Sequence, residues 1–196
     1  MVTRPRDCSW VTGKFENLTP QDFKCSSDPD DDYNCIAWAA GKTDNYWWPT
    51  TLWPFYWPKG LPTFPNRPND VAESVDNFIA AFEREGYKVC KDGKFHSSYE
   101  KVAIYANNLG RVKHAARLLD TGVWSSKLGE YEDIEHTTPE CIEGRSYGYV
   151  KVFLRRKLRQ CQRPSLLRRL RSFLSKLTER RLLSFSAIQS ANPIGS

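Results

Sequence analysis

No CxxC pair occurs in this sequence, and no histidine stands at zinc-finger distance from a cysteine. Six widely spaced cysteines (Cys8, Cys25, Cys35, Cys90, Cys141 and Cys161) therefore do not spell a structural metal site, and neither a metal nor a cofactor is expected. No run approaches the roughly 20 apolar residues that cross a bilayer. The basic start, MVTRPRDCSW, also lacks the apolar stretch of a secretory leader. These absences predict a soluble, cytoplasmic protein whose cysteines are mostly free thiols. Acid is nearly missing from the end of the chain: residues 151–196 hold 12 of the 29 Lys and Arg but one of the 23 acidic residues, Glu179. That segment is net +11, and the remaining 17 basic and 22 acidic residues leave 1–150 at −5. Such asymmetry predicts a mildly acidic domain with a basic appendage suited to phosphates, lipid headgroups or an acidic partner.

With 196 residues, the chain is long enough for one domain and a short extension. Residues 1–28 show no sustained periodicity and read as an N-terminal extension. In DDYNCIAWAAG, an acidic, turn-prone stretch gives way to a short apolar run. Asp31, Asp32 or Asn34 would cap a helix that starts at Cys35 and stops at Gly41. The next segment, NYWWPTTLWPFYWPKGLPTFPNRPND, carries too many prolines for a regular helix or a central strand. It reads as a long aromatic loop, expected to pack over the domain and, with Trp38, Trp47, Trp48, Trp53 and Trp57, to wall a groove.

NDVAESVDNFIAAFEREGY then reads as one helix, capped by Asn69 or Asp70 and ended by Gly86, with Val71, Val75, Phe78, Ile79 and Phe82 on one face. Past it the period shortens. GYKVC, EKVAIYAN, RVKHAARLL, GVWSSKLG and YGYVKVFLRR are short, β-branched or aromatic, and separated by turn signals, which predicts an antiparallel meander. The fold class is therefore α+β, with the cysteine helix packed on an antiparallel sheet over residues 29–153. The tail, 154–196, reads as a basic amphipathic helix with Leu166, Leu167, Leu170, Phe173, Leu174 and Leu177 on one face. Through residues 164–183 it would meet a protein partner or an anionic membrane surface; a nucleic-acid role is not expected.

A cysteine in the first turn of a helix lies near unpaired backbone amides, which favour the thiolate. An imidazole beside it would take the proton during attack. Only His96, His114 and His136 are available. His96 sits in a turn, His136 is flanked by acids, and His114 enters a strand from which it can point toward a helix, making it the expected base.

The order of a cysteine at a helix start, a tryptophan three residues on, and a histidine entering the second of two strands resembles papain-like cysteine hydrolases, including the compact NlpC-type peptidase and amidase domains. DYNCIAWAAG, KVAIYANNLGRVKHAARLL and GVWSSKLGEYEDIEH also look like signature blocks of an uncharacterised bacterial domain family, over about residues 29–150. The papain-like resemblance implies a papain-like fold, with Cys35 as nucleophile, His114 as base and a polar residue on the next strand orienting the imidazole. Ser125 and Ser126 stand where papain has Asn; Asp133 and His136 are alternatives. The Cys35 amide and the Asn34 side chain would hold the oxyanion. The function expected is a cysteine-dependent hydrolase or acyl transferase acting on an amide, peptide or thioester bond. The alternative is a non-catalytic binding module on the same scaffold, using the Trp/Pro-rich loop and the basic tail.

Overall fold

Runs of small and apolar residues, VAIYA in Tyr99–Ala106 and the Ala115-Ala116 pair in Val112–Leu118, place both strands in the middle of a sheet buried on both faces. The computed structural model describes residues 8–158, so the basic tail helix and Cys161 lie outside the described residues. In chain order the elements are α1 (Trp10–Lys14), β1 (Phe23–Cys25), α2 (Cys35–Ala39), β2 (Tyr46–Trp47), β3 (Phe55–Tyr56), α3 (Asn69–Ala72), α4 (Val75–Arg84) and β4 (Lys88–Cys90). There follow β5 (Tyr99–Ala106), β6 (Val112–Leu118), β7 (Trp124–Lys127), β8 (Asp133–His136), a 3-10 turn at Pro139–Ile142, and β9 (Tyr149–Lys157).

The main sheet has seven strands in the order β1-β8-β7-β6-β5-β9-β4, all its pairs antiparallel. β5, β6 and β7 follow the expected meander, β8 continues it, β9 returns to the far side of β5, and β4 pairs with β9 rather than with β5. The domain is thus α+β and dominated by an antiparallel sheet. Two core layers flank it. On one face α2 and α4 pack Ile36, Ala37, Phe78 and Phe82 against Val102, Ile104, Ala115 and Leu154. On the other, Val11, Phe15 and Leu18 cover Ala103, Ala116, Leu118 and Ile134. Each large side chain buried in this way contributes about 1.5–3 kcal/mol.

Several elements differ from the sequence reading. Residues 8–28, expected as an extension, supply α1 and the edge strand β1, which pairs Phe23 with His136. The helix expected over 69–86 is two, because Ser74 turns out of the helix and its hydroxyl caps α4 at the Asn77 amide (3.2 Å). β9 runs through Lys157, so the sheet takes in residues assigned to the tail. Cys8 and Cys25 are joined by a disulfide, with α carbons 6.4 Å apart, rather than being free thiols. The chain path brings α1 back beside β1, and nothing in the spacing of the two cysteines announces it. No helix among the described residues is long and apolar enough to cross a membrane.

Two irregularities position the site. β6 and β9 both bulge against the end of β5: Tyr105 faces His114 and Ala106 faces Val112, leaving over Lys113, while Ile104 faces Val152 and Tyr105 faces Val150, leaving over Lys151. The ladder between β6 and β7 holds just two pairs, Arg117 with Ser125 and Leu118 with Trp124. Below them the two strands fork; the Val112 amide at the start of β6 donates to the Glu73 carbonyl at 2.8 Å, and the stretch around Ala115 packs on α2.

Candidate functional site

Cys35 opens α2 because Asn34 caps it. The Asn34 Oδ1 accepts from the Ala37 amide at 3.1 Å and from the Trp47 amide at 3.1 Å, while its Nδ2 donates to the Trp47 carbonyl at 2.8 Å. Its side chain fastens the aromatic segment to the helix start through the Oδ1 and one N–H of Nδ2. The amides near the sulfur are those of Cys35 and Ile36, joined by Ala115 from β6.

Those amides favour the thiolate but do not prevail. Burial pushes the Cys35 thiol up to about 11, so the group is a neutral thiol at pH 7. The lowered value expected from its first-turn position is thus reversed by desolvation.

His114 is fully buried, between the edge of Tyr105 (ring centroids 5.4 Å apart) and the face of Tyr147 (3.9 Å, 7° between planes). Burial, with smaller contributions from His136 and Lys14, holds its pKa well below the usual histidine range. Its Nε2 lies 3.0 Å from Ser126 Oγ, which in turn lies 3.0 Å from Nε2 of His136. His136 Nδ1 is 2.7 Å from the Thr138 carbonyl. Burial also depresses His136, to about 4.

The direction of every proton in this chain follows from its last member. A carbonyl only accepts, so His136 Nδ1 carries a hydrogen. The neutral ring then presents a bare Nε2, to which the Ser126 hydroxyl donates. Ser126 Oγ is left to accept, and His114 must donate to it from Nε2. His114 Nδ1 is therefore an unprotonated lone pair, and it is buried without a hydrogen-bond partner. The tautomers are assigned from this network.

The structure thus brings His114, Ser126 and His136 together. Cys35 is not hydrogen-bonded to them: the amide of Ala115, the residue after His114, favours its thiolate, and the residue packs with the opposite core layer. Ser125 points to the α2 face, where it accepts from the Trp38 indole at 3.1 Å. Asp133 takes the Tyr33 hydroxyl at 2.9 Å rather than an imidazole. His96 stands apart in an exposed turn, its Nδ1 accepting from the Ser98 amide.

The five tryptophans do not wall one groove. Trp47 and Trp57 are core residues, and Trp48 packs edge-on against Phe78. Trp38 lies under the Arg117 guanidinium at 3.6 Å, and Trp53 is 92% exposed. Sequence reasoning missed Tyr147, which roofs the imidazole from the turn before β9, and the Thr138 carbonyl. A backbone carbonyl leaves no trace in residue identity, and Tyr147 in RSYGYV has no spacing that links it to His114.

Fold and site together define an α+β domain on an antiparallel sheet, with a buried histidine relay at its fork and a cysteine at the adjoining helix start. The chain belongs to the family described as Domain of unknown function (DUF7689), whose model matches residues 24–155. No curated protein and no solved structure matches it.

Proposed function

We propose that this domain is a cysteine-dependent hydrolase or acyl transferase in which Cys35 is the nucleophile and His114 the general base. The observation that carries the reading is the bare Nδ1 of His114, a buried lone pair kept unprotonated by Ser126, His136 and Thr138. Leaving such an acceptor unpaired costs about 1–3 kcal/mol, a cost a purely structural histidine has no reason to carry. The papain-like order of cysteine, histidine and third polar residue fits Cys35, His114 and Ser126, and Cys35 lies near the amide of Ala115, the residue after His114.

In this mechanism the sulfur forms a bond to the carbonyl carbon of an amide, peptide or thioester as Nδ1 takes the thiol proton. The C–N or C–S bond breaks as the imidazolium returns that proton to the leaving group, and water or another nucleophile releases the acyl group. Because Cys35 is a neutral thiol in the free protein, the proton moves only as attack occurs. A cytoplasmic setting would favour thiols at Cys8 and Cys25; their bridge fits an oxidising one.

A second reading, a non-catalytic binding module, is favoured by the raised thiol and the fully buried imidazole. Incubation with 4-nitrophenyl acetate, followed by intact-mass and peptide-mass analysis, separates the two. The catalytic reading expects one acetyl group on Cys35, absent in Cys35→Ala and formed at least about 100-fold more slowly in His114→Gln, in keeping with the usual worth of a general base. Melting curves of both variants establish that they fold, and Ser126→Ala serves if His114→Gln does not. Acetylation of Cys35 at the same rate in every folded relay variant, or none in the wild type, would leave the binding module.

A further inference from the structure

We propose that the open hollow lined by the Trp/Pro segment is a binding site for a small organic anion, a ring or short aliphatic body bearing a carboxylate or a phosphate. It is separate from the Cys35 chemistry and does not rest on it.

Charge comes first. Residues 45–69 contain no Asp or Glu, although they lie in a part of the chain that is net negative, and their charged side chains are Lys59 and Arg67 alone. Both line a cavity of about 650 Å³, together with Phe55, Tyr56, Trp57 and Asn66. No ion pair or side-chain hydrogen bond of either cation is found among the described residues. Two unpaired cations and no carboxylate around one aromatic hollow complement an anion, and the planar Arg67 guanidinium can take a carboxylate or phosphate with two parallel hydrogen bonds.

The second observation is Trp57. Its ring is buried against Phe78 (centroids 4.9 Å apart), yet its indole N–H has no partner. Buried indole donors are normally satisfied. Trp57 lines the same hollow, so its indole signal reports on what enters there.

The walls are fixed before any ligand arrives. Asn77 on α4 donates to the Pro62 carbonyl at 2.9 Å, and Thr51 and Phe64 are tied by backbone bonds of Thr51 to Phe64 (3.2 Å) and Phe64 to Pro49 (2.8 Å). β2 and β3 pair in parallel across the base of the segment. A preformed, aromatic, few-hundred-Å³ cavity with a handful of polar groups is the usual form of a small-ligand site.

The experiment titrates the full chain with N-acetyl-L-phenylalanine, phenyl phosphate and the neutral N-acetyl-L-phenylalaninamide, following the indole N–H signals, with Trp57→Phe identifying its own. At least one anion is expected to shift the Trp57 signal saturably and to bind at least tenfold tighter than the amide. Whichever anion is tighter distinguishes a carboxylate from a phosphate ligand. Lys59→Gln combined with Arg67→Gln, both exposed and so expected to fold, should weaken the anion at least tenfold and leave the amide unchanged. Equal binding of anion and amide, indifference to the double substitution, or no saturable shift with either anion would overturn the proposal.

Discussion

The Thr138 carbonyl and the Nδ1 of His114 do not touch, yet the first determines the protonation of the second. Three hydrogen bonds of 2.7, 3.0 and 3.0 Å transmit the constraint through His136 and Ser126. The relay makes a base of His114 without making it a cation, which burial at this position opposes.

Ser126→Ala should therefore be far more damaging than the loss of one hydroxyl suggests. It strands the Nε2–H of His114 and the bare Nε2 of His136 in a dry interior, at about 1–3 kcal/mol each. A drop of about 2–5 kcal/mol in urea unfolding is expected, and nitrogen NMR should show His114 losing its single Nε2–H tautomer. A Ser126→Ala protein as stable as wild type with an unchanged imidazole spectrum would mean the relay does not exist in solution.

Stability should fall on acidification through this same pair. Both imidazoles have folded-state pKa values below the ordinary value near 6.5, His136 at about 4. Between about pH 6.5 and 4 the unfolded chain takes up protons that the folded one refuses, at about 1.4 kcal/mol per pH unit for each group. The raised Asp133 carboxyl acts in the opposite sense, so the quantity to read is the difference from His136→Gln. Urea midpoints measured from pH 7 to pH 4 should decline more steeply in wild type than in that variant; parallel declines would refute the assignment.

Asn34→Ala should cost about 2–4 kcal/mol, a helix cap plus the two bonds to Trp47. Asn34→Asp keeps the acceptor and gives up the donation to the Trp47 carbonyl, so it should fall between the two. If the alanine variant loses less than about 0.5 kcal/mol by chemical denaturation, the cap and the clamp are not formed.

Gly148 lies in the turn beside the Ala106 end of β5. A β carbon there would stand 2.2 Å from the Ala106 carbonyl oxygen, on a backbone with φ of +76°. Gly148→Ala is expected to lose about 4 kcal/mol or more, since neither the carbonyl nor the backbone can yield. A melting temperature within a few degrees of wild type would exclude that close approach.

Much of this was legible in the residues. Asn34 before CIAWAA with Gly41 after it specifies a short capped helix by local chemistry alone, and Gly41 and Gly86 both adopt positive φ where a helix stop was expected. β5, β6, β7 and β9 show the period and the turn residues of strands. Ser126 is one of four polar residues the sequence offers beside His114, with Ser125, Asp133 and His136, and strand alternation, which turns Ser125 to the Trp38 indole, brings Ser126 to the imidazole. β1 and β8 escaped notice: FKC is too short to carry a pattern, and DIEH alternates acids with inward residues just before a turn. The break at Ser74 was hidden because Val71, Val75 and Phe78 are spaced as on one continuous helix, although Val71 is in fact exposed. The direction of the Cys35 shift was misjudged because the helix start is local and desolvation is not; only the packed neighbours determine which prevails.

The covalent link between Cys8 and Cys25 has a practical corollary. A protease that severs the chain anywhere between Cys8 and Cys25 would release nothing, since both pieces stay tethered and β1 remains seated against the strand that bears His136. Such a nick would be invisible on a gel run without reductant and would appear as two bands with it, while the relay beneath kept its edge covered.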